Sequence, residues 1–175
     1  MAALAKTVIP KTAQRLRSPE IQGPTRDDIP ALVDHIVQRY HHAHLRELPY
    51  AIGLARHVEQ VYAADPDCPL GLADQLTLLS AALEAHQWRE ETMLFPLLRI
   101  GTPNCLRFAT RRMAEDHVGV EIHLMKLQQF TKRYRPSFEA PFCWQALSVM
   151  CRKLEADMLE HARLEHEVLY ALLLN

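Results

Sequence analysis

His86 and Glu90 in EAHQWREETMLFP, and His161 and Glu165 in LEHARLEHEVLY, are pairs in which a glutamate follows a histidine by four residues on an apolar seam. On an α-helix that spacing stacks both side chains on one face, a turn apart. Imidazole nitrogen and carboxylate oxygen together are donors for a metal ion. With no thiolate beside them they favour iron, manganese or zinc over copper(I). Two more histidines, His41 in DHIVQRYHHAH and His117 in MAEDH, fall on comparable faces of other segments. The chain carries ten histidines, so their placement is its most informative feature.

The elements that must position these groups are helices. Turn signals at QGPTRDDIP, AADPDCPLG, GTPN and RPSFEAP bound four long segments, about 30–62, 71–99, 105–134 and 141–173. All four are rich in Leu, Ala, Glu, Gln, Arg and Met, which favour helix. Nothing reads as a strand. Each segment carries an apolar seam with alternating steps of three and four. The second seam is Leu76, Leu79, Leu83, His86, Glu90, Met93, Leu97, and the third is Leu106, Thr110, Met113, His117, Val120, Leu124, Leu127. The fourth is Leu147, Cys151, Leu154, Met158, His161, Glu165, Val168, Leu172. The first is noisier and runs Val37, His41, His44, Leu48, Ala51, Ala55, Val58, Tyr62. Short links make neighbours antiparallel, so the expected fold is an all-α, up-down-up-down four-helix bundle. Pro49 and Pro96 are expected to kink or end their helices locally.

In such a bundle the first and third helices start at the end where the second and fourth stop. At ~1.5 Å per residue, His41, His86, His117 and His161 all lie roughly 16–20 Å from that end. Glu90 and Glu165 sit a turn away, also facing inward. An unpaired buried carboxylate costs several kcal/mol or takes up a proton. Two carboxylates and four neutral imidazoles are well balanced by two divalent ions, each holding two histidines with the glutamates bridging. His44 is on the same seam three residues from His41, and it is either a ligand in its place or a group that touches a ligand from behind. Asp116 and Glu121 flank His117 and are candidates to orient its imidazole, although solvated charge is the simpler account of both. Met93, Met113 and Met158 read as core filler, and His35, His42, His57, His123 and His166 as solvated or ordinary helix histidines. No catalytic residue is assigned. The chain has no HExxH, no nucleophile elbow and no phosphate loop, so hydrolase and nucleotide chemistry lack a foothold.

A formal charge of −1 gives no electrostatic reason to expect nucleic acid or an anionic membrane. No apolar run reaches membrane-span length. Cys68, Cys105, Cys143 and Cys151 form no CxxC pair and read as reduced cytoplasmic thiols. Residues 1–27 differ from the rest: MAALAKTVIPKTAQRLRS holds four basic residues and no acid. Its composition resembles a transit peptide, but a flexible arm is the plainer reading. Residues 28–175 are expected to form the bundle.

The segments DHIVQRYHHAH, EAHQWREETMLFP, MAEDH and LEHARLEHEVLY also resemble, in order over about residues 30–173, the hemerythrin-like domain of the iron–sulfur cluster repair di-iron proteins. The resemblance implies a carboxylate-bridged di-iron site with one histidine per helix. Its ligands would be His41, His86, Glu90, His117, His161 and Glu165, which favours His41 over His44. Many members carry an additional N-terminal domain with paired cysteines. This chain has no Cys-Cys pair, so that role is absent or supplied by another protein. VEQVY ends the first helix where relatives can end in histidine. Tyr62 is some ~31 Å from His41 along a helix, so that change should spare the metals. VLYA replaces LFP near the C-terminus and is expected to affect packing only.

The resemblance further implies a cytoplasmic protein made under nitrosative or oxidative stress, which holds and gives up iron for damaged clusters and meets iron–sulfur proteins. Hemerythrins that carry O2 look like five-histidine sites. With four histidines, both ions keep a free position and should be more labile. A carrier or sensor of O2 or NO without turnover is the alternative, and a peroxidase or NO reductase a third. Manganese or zinc could replace iron. The oligomeric state is not legible.

Overall fold

The computed structural model describes residues 26–100 and 103–170. The arm expected over 1–27 therefore lies outside the described residues, apart from Arg26 and Asp27 in a 3-10 turn, Arg26–Asp28. Among the described residues there is no strand, and the helices form the expected four rods. We call them α1 (Ile29–Ile36, a π-helical turn Val37–His41, and His42–Val61) and α2 (Leu72–Arg89, a π turn Glu90–Leu94, and Phe95–Ile100). The third rod is α3 (Pro103–Phe130), and the fourth is α4 (Phe142–Arg163 with a π turn Leu164–Leu169). Packing runs around the ring: α1 on α2, α2 on α3, and α4 on α1, with the α3–α4 seam the most open.

Local chemistry sets the ends. Gly71 precedes α2 with φ 91°, and a Cβ there would also meet the Phe130 ring at 3.1 Å, so this position requires glycine twice over. The third helix stops earlier than its pattern suggested. Lys132, Arg133 and Tyr134 take positive φ of 49°, 56° and 62°, each disfavoured by about 1–2 kcal/mol. Arg133 N–H donates to the Gln128 carbonyl at 2.7 Å, and Tyr134 N–H to Thr131 Oγ1 at 3.2 Å, which hold the turn. Pro49 lies within His42–Val61 and Pro96 within Phe95–Ile100, so neither ends its helix.

Three seams shift by one residue where the π turns fall. Before His41 the buried residue is Ile36, not Val37. After Glu90 the core takes Leu94 and Leu98, while Met93 is 43 % exposed rather than core filler. After Glu165 it takes Leu169 in place of Val168. A π turn bonds N–H to the carbonyl five residues back and so inserts one residue. His42 N–H reaches the Val37 carbonyl, Phe95 N–H the Glu90 carbonyl, and Tyr170 N–H the Glu165 carbonyl. The seam of α3 has no such turn and keeps its register through Met113, His117, Val120, Leu124 and Leu127, all buried.

The core is split in two. One apolar cluster includes Leu48, Leu76, Leu83, Leu124, Leu147 and Met158. The other includes Ile36, Leu94, Leu98, Met113 and Leu169. Burying each such side chain is worth about 1.5–3 kcal/mol. The polar layer between them contributes nothing of that kind and must be balanced otherwise. Cys68, Cys143 and Cys151 are free thiols. No described helix is long and apolar enough to cross a membrane.

Candidate metal centre

His41, His86, Glu90, His117, His161 and Glu165 meet in that layer, each at most 7 % exposed. Nε2 of His41 lies 3.3 Å from Nε2 of His161, and Nε2 of His86 lies 3.1 Å from Nε2 of His117. Glu90 Oε2 is 3.3 Å from both His41 Nε2 and His86 Nε2. Glu165 reaches His161 Nε2 at 2.8 Å through Oε1, and His117 Nε2 at 2.9 Å through Oε2. The donors sort into two groups of four, His41–Glu90–His161–Glu165 and His86–Glu90–His117–Glu165, with atoms in each within 4.8 Å of one another. Both glutamates belong to both groups. Three of the four helices reach the layer through a π turn: Val37–His41 ends on His41, Glu90–Leu94 begins at Glu90, and Leu164–Leu169 contains Glu165. Such turns recur at functional sites because they aim a side chain that a regular helix would turn away.

The electrostatics suit cations. Burial lowers His41 to about 4 and His86 to about 3, so both rings are neutral lone-pair donors near neutral pH. Burial, then the charge of Glu165, pushes Glu90 well above the usual carboxylate range. Burial alone would raise Glu165 as well, but His161, His117 and His86 outweigh it and hold it well below. Oε2 of each glutamate is buried and receives no hydrogen bond, despite the nearby nitrogens. Atoms that share an octahedral ion at about 2.1 Å stand roughly 3 Å apart, which is the spacing of both nitrogen pairs. The residues therefore fit a metal in chemistry, in spacing and in their unpartnered oxygens.

Around these six lie groups that hold them from behind. His41 Nδ1 is 2.7 Å from Glu91 Oε1. A carboxylate only accepts, so the ring proton sits on Nδ1 and Nε2 presents its lone pair inward. His117 Nδ1 is 2.7 Å from His166 Nε2, so His166 is not merely solvated as its off-seam position suggested. Tyr170 donates to Glu90 Oε1 at 3.3 Å, so VLYA alters the site and not packing alone. Glu91, His166 and Tyr170 all lie within or beside π turns, where a regular helical period misplaces them. The only signal for the first two was adjacency to Glu90 and Glu165. His44 is fully buried, takes a hydrogen bond on Nδ1 from Gln87 Nε2 at 3.2 Å, and lies in neither four-donor group. Its ring centroid is 5.8 Å from that of His161. Asp116 Oδ2 stands 3.8 Å from His86 Nδ1 but bonds Arg89 Nη2 at 2.7 Å. Glu121 is exposed and lines a cleft beside His117. Tyr62 is remote, packing on Trp144.

The sequence profile described as the hemerythrin HHE cation binding domain matches residues 32–173. The chain belongs to that family. Among curated proteins it is similar to a probable iron-sulfur cluster repair protein of Haemophilus influenzae, 32% identical over 82% of this chain and 65% of the relative. It is also 34% identical to the iron-sulfur cluster repair protein YtfE of Citrobacter koseri, over 79% of this chain and 63% of that protein. The same protein of Escherichia coli O1:K1 matches at 34% identity over the same shares. The chain thus spans 65% and 63% of the length of the first two relatives. Membership of the HHE family agrees with the all-helical bundle and with the resemblance carried by the four motifs, and it makes this a cation-binding domain.

Proposed function

We propose that this HHE domain holds two iron ions and serves iron–sulfur cluster repair. His41 and His161 would hold one ion and His86 and His117 the other, with Glu90 and Glu165 available to both. The observation that carries this reading is the pair of overlapping four-donor groups that share both glutamates. One ion could not use all six donors and keep a side open, whereas two can. Iron suits an all-nitrogen and oxygen donor set, and manganese or zinc would fit the same atoms. The likeness to proteins named for cluster repair supports the task and iron–sulfur proteins as partners, and the cytoplasm is the place we propose for it.

When bound, the ions supply electron transfer and open positions for small ligands. The chain's own part is to keep the His41 and His86 imidazoles neutral by burial, set the His41 proton on Nδ1 through Glu91, and hold Glu90 with the Tyr170 hydroxyl. A second reading, an O2 or NO carrier or sensor, draws on the cleft between α3 and α4. Its apolar lining, including Leu83, Val120 and Leu124, suits small uncharged molecules. An oxygenated spectrum that survives many cycles would favour that reading. Sustained consumption of peroxide or NO above free-iron controls would instead indicate an enzyme.

The deciding measurement is metal analysis with Mössbauer spectroscopy on protein purified without air. Two ions per chain are expected, and His86→Ala and Glu165→Ala should each lose most of the metal. Full metal content in both variants rejects the ligand set. Retention of ferrous iron for hours against a chelator weighs against donation.

A further inference from the structure

We propose that the six donors form two unequal seats, a tight one at His41 and His161 and a loose one at His86 and His117 that yields its ion first. This rests on the two-ion reading and deepens it, because a donor of iron needs an ion that leaves without the site collapsing.

The difference lies in what stands behind each imidazole. His41 gives its Nδ1 proton to the carboxylate of Glu91 at 2.7 Å. An anionic acceptor fixes the ring and makes its other nitrogen a stronger donor. His161 lies parallel to the Tyr40 ring, with centroids 5.3 Å apart and planes 5° apart, inside the bundle. The other end has neither support. His86 Nδ1 is buried and has no hydrogen bond. Its nearest carboxylate, Asp116, is 3.8 Å away and already bonded to Arg89 Nε at 2.9 Å and paired with Arg112 at 3.4 Å. His117 turns its Nδ1 to the imidazole of the exposed His166, at 2.7 Å. With His117 Nε2 given to an ion, its Nδ1 proton points at a neutral ring and not at an anion, which adds less basicity.

Access runs the same way. The cleft between α3 and α4 is lined by His86 and His117 and, on its far side, by His161, along the most open seam of the bundle, with Glu121 at its wall. His117 is 7 % exposed, whereas His41, His86 and His161 are at 0 %, 1 % and 2 %. Solvent thus comes nearest to the loose seat, and it does so through His117.

The test uses the full chain loaded anaerobically with two ferrous ions and chased with a chromogenic ferrous chelator. Two phases of one ion each are expected, with rates at least about tenfold apart. His166→Leu should quicken only the fast phase, by about tenfold, and His166→Gln, whose amide oxygen replaces Nε2 as acceptor, should restore it. Glu91→Gln should quicken only the slow phase. Both residues are at the surface, so these variants are expected to fold. A single phase, or a His166→Leu effect confined to the slow phase, overturns the inference and leaves the two-ion site standing. A folded protein that never takes up two ions overturns the proposed function and this inference with it.

Discussion

Tyr170 places its hydroxyl 3.3 Å from Oε1 of Glu90 and is the donor in that contact. Burial, together with the neighbouring glutamates, raises the phenol above its ordinary value, so it keeps the proton that it donates to Glu90. The bond ties the C-terminal turn of α4 to a carboxylate on α2. Tyr170→Phe should keep two ions per chain but weaken their retention by about three- to tenfold, the equivalent of about one hydrogen bond. Competition with a chelator of known affinity reads this directly, and unchanged retention would leave the hydroxyl without a role at the site.

His44 predicts a pH dependence. Burial lowers its imidazole to about 3, far below its value in an unfolded chain, about 6.5. The unfolded state therefore binds the proton first as pH falls. The stabilisation is present above about pH 6.5 and is lost progressively as pH drops toward 3. In metal-free protein each such histidine costs about 1.4 kcal/mol per pH unit between about pH 5.5 and 4.5. His44→Leu should remove one such share of the slope. Urea unfolding of both proteins at the two pH values measures it, and equal slopes would count against a neutral, buried His44.

Asp157, on α4, is 8 % exposed and lies beneath two half-exposed cations from α1 and α4. Burial alone would raise its carboxyl, yet Arg39 and Lys153, each at 2.8 Å, outweigh burial and hold it below the usual range. That stabilisation is complete above the unfolded value of about 3.9 and fades as pH falls through the folded one. Asp157→Asn should cost about 1–3 kcal/mol at neutral pH, and less at pH 3. A difference between the two proteins that does not shrink at low pH would rule out the charge as its source.

The π turn at Glu90–Leu94 supplies the fourth prediction. Deleting Thr92 would let α2 run as a regular helix, with the residues now numbered 94 and 98 falling on the seam. The protein should stay helical by circular dichroism and melt no lower, because the inserted residue carries strain rather than packing. It should lose at least about tenfold in metal retention, since Glu90 and Glu91 would no longer both reach His41. Undiminished metal binding would show that the turn has no part in aiming them.

Much of this was open to inspection in the linear chain. Four helices with alternating three- and four-residue steps follow from residue type alone. Short links dictate antiparallel neighbours, and antiparallel rods bring His41, His86, His117 and His161 to one level. The two HxxxE pairs needed only the helical repeat. The misreadings cluster elsewhere. A regular repeat gives Met93 and Val168 to the core, and the structure passes those places to Leu94 and Leu169. His166 falls off the seam of a regular helix, and the structure brings it to His117.

The sequence by itself thus determined the rods, their directions and the inward-facing donors, because a helical repeat is a local property of a dozen residues. Only the tertiary structure decided that His41 pairs with His161 and His86 with His117, and that Glu91 and His166 stand behind them. The reason is that neighbourhood around a ring of helices is not encoded in any one of them. A π turn exchanges one hydrogen-bond register for another at small local cost, so contacts across the bundle settle where it forms.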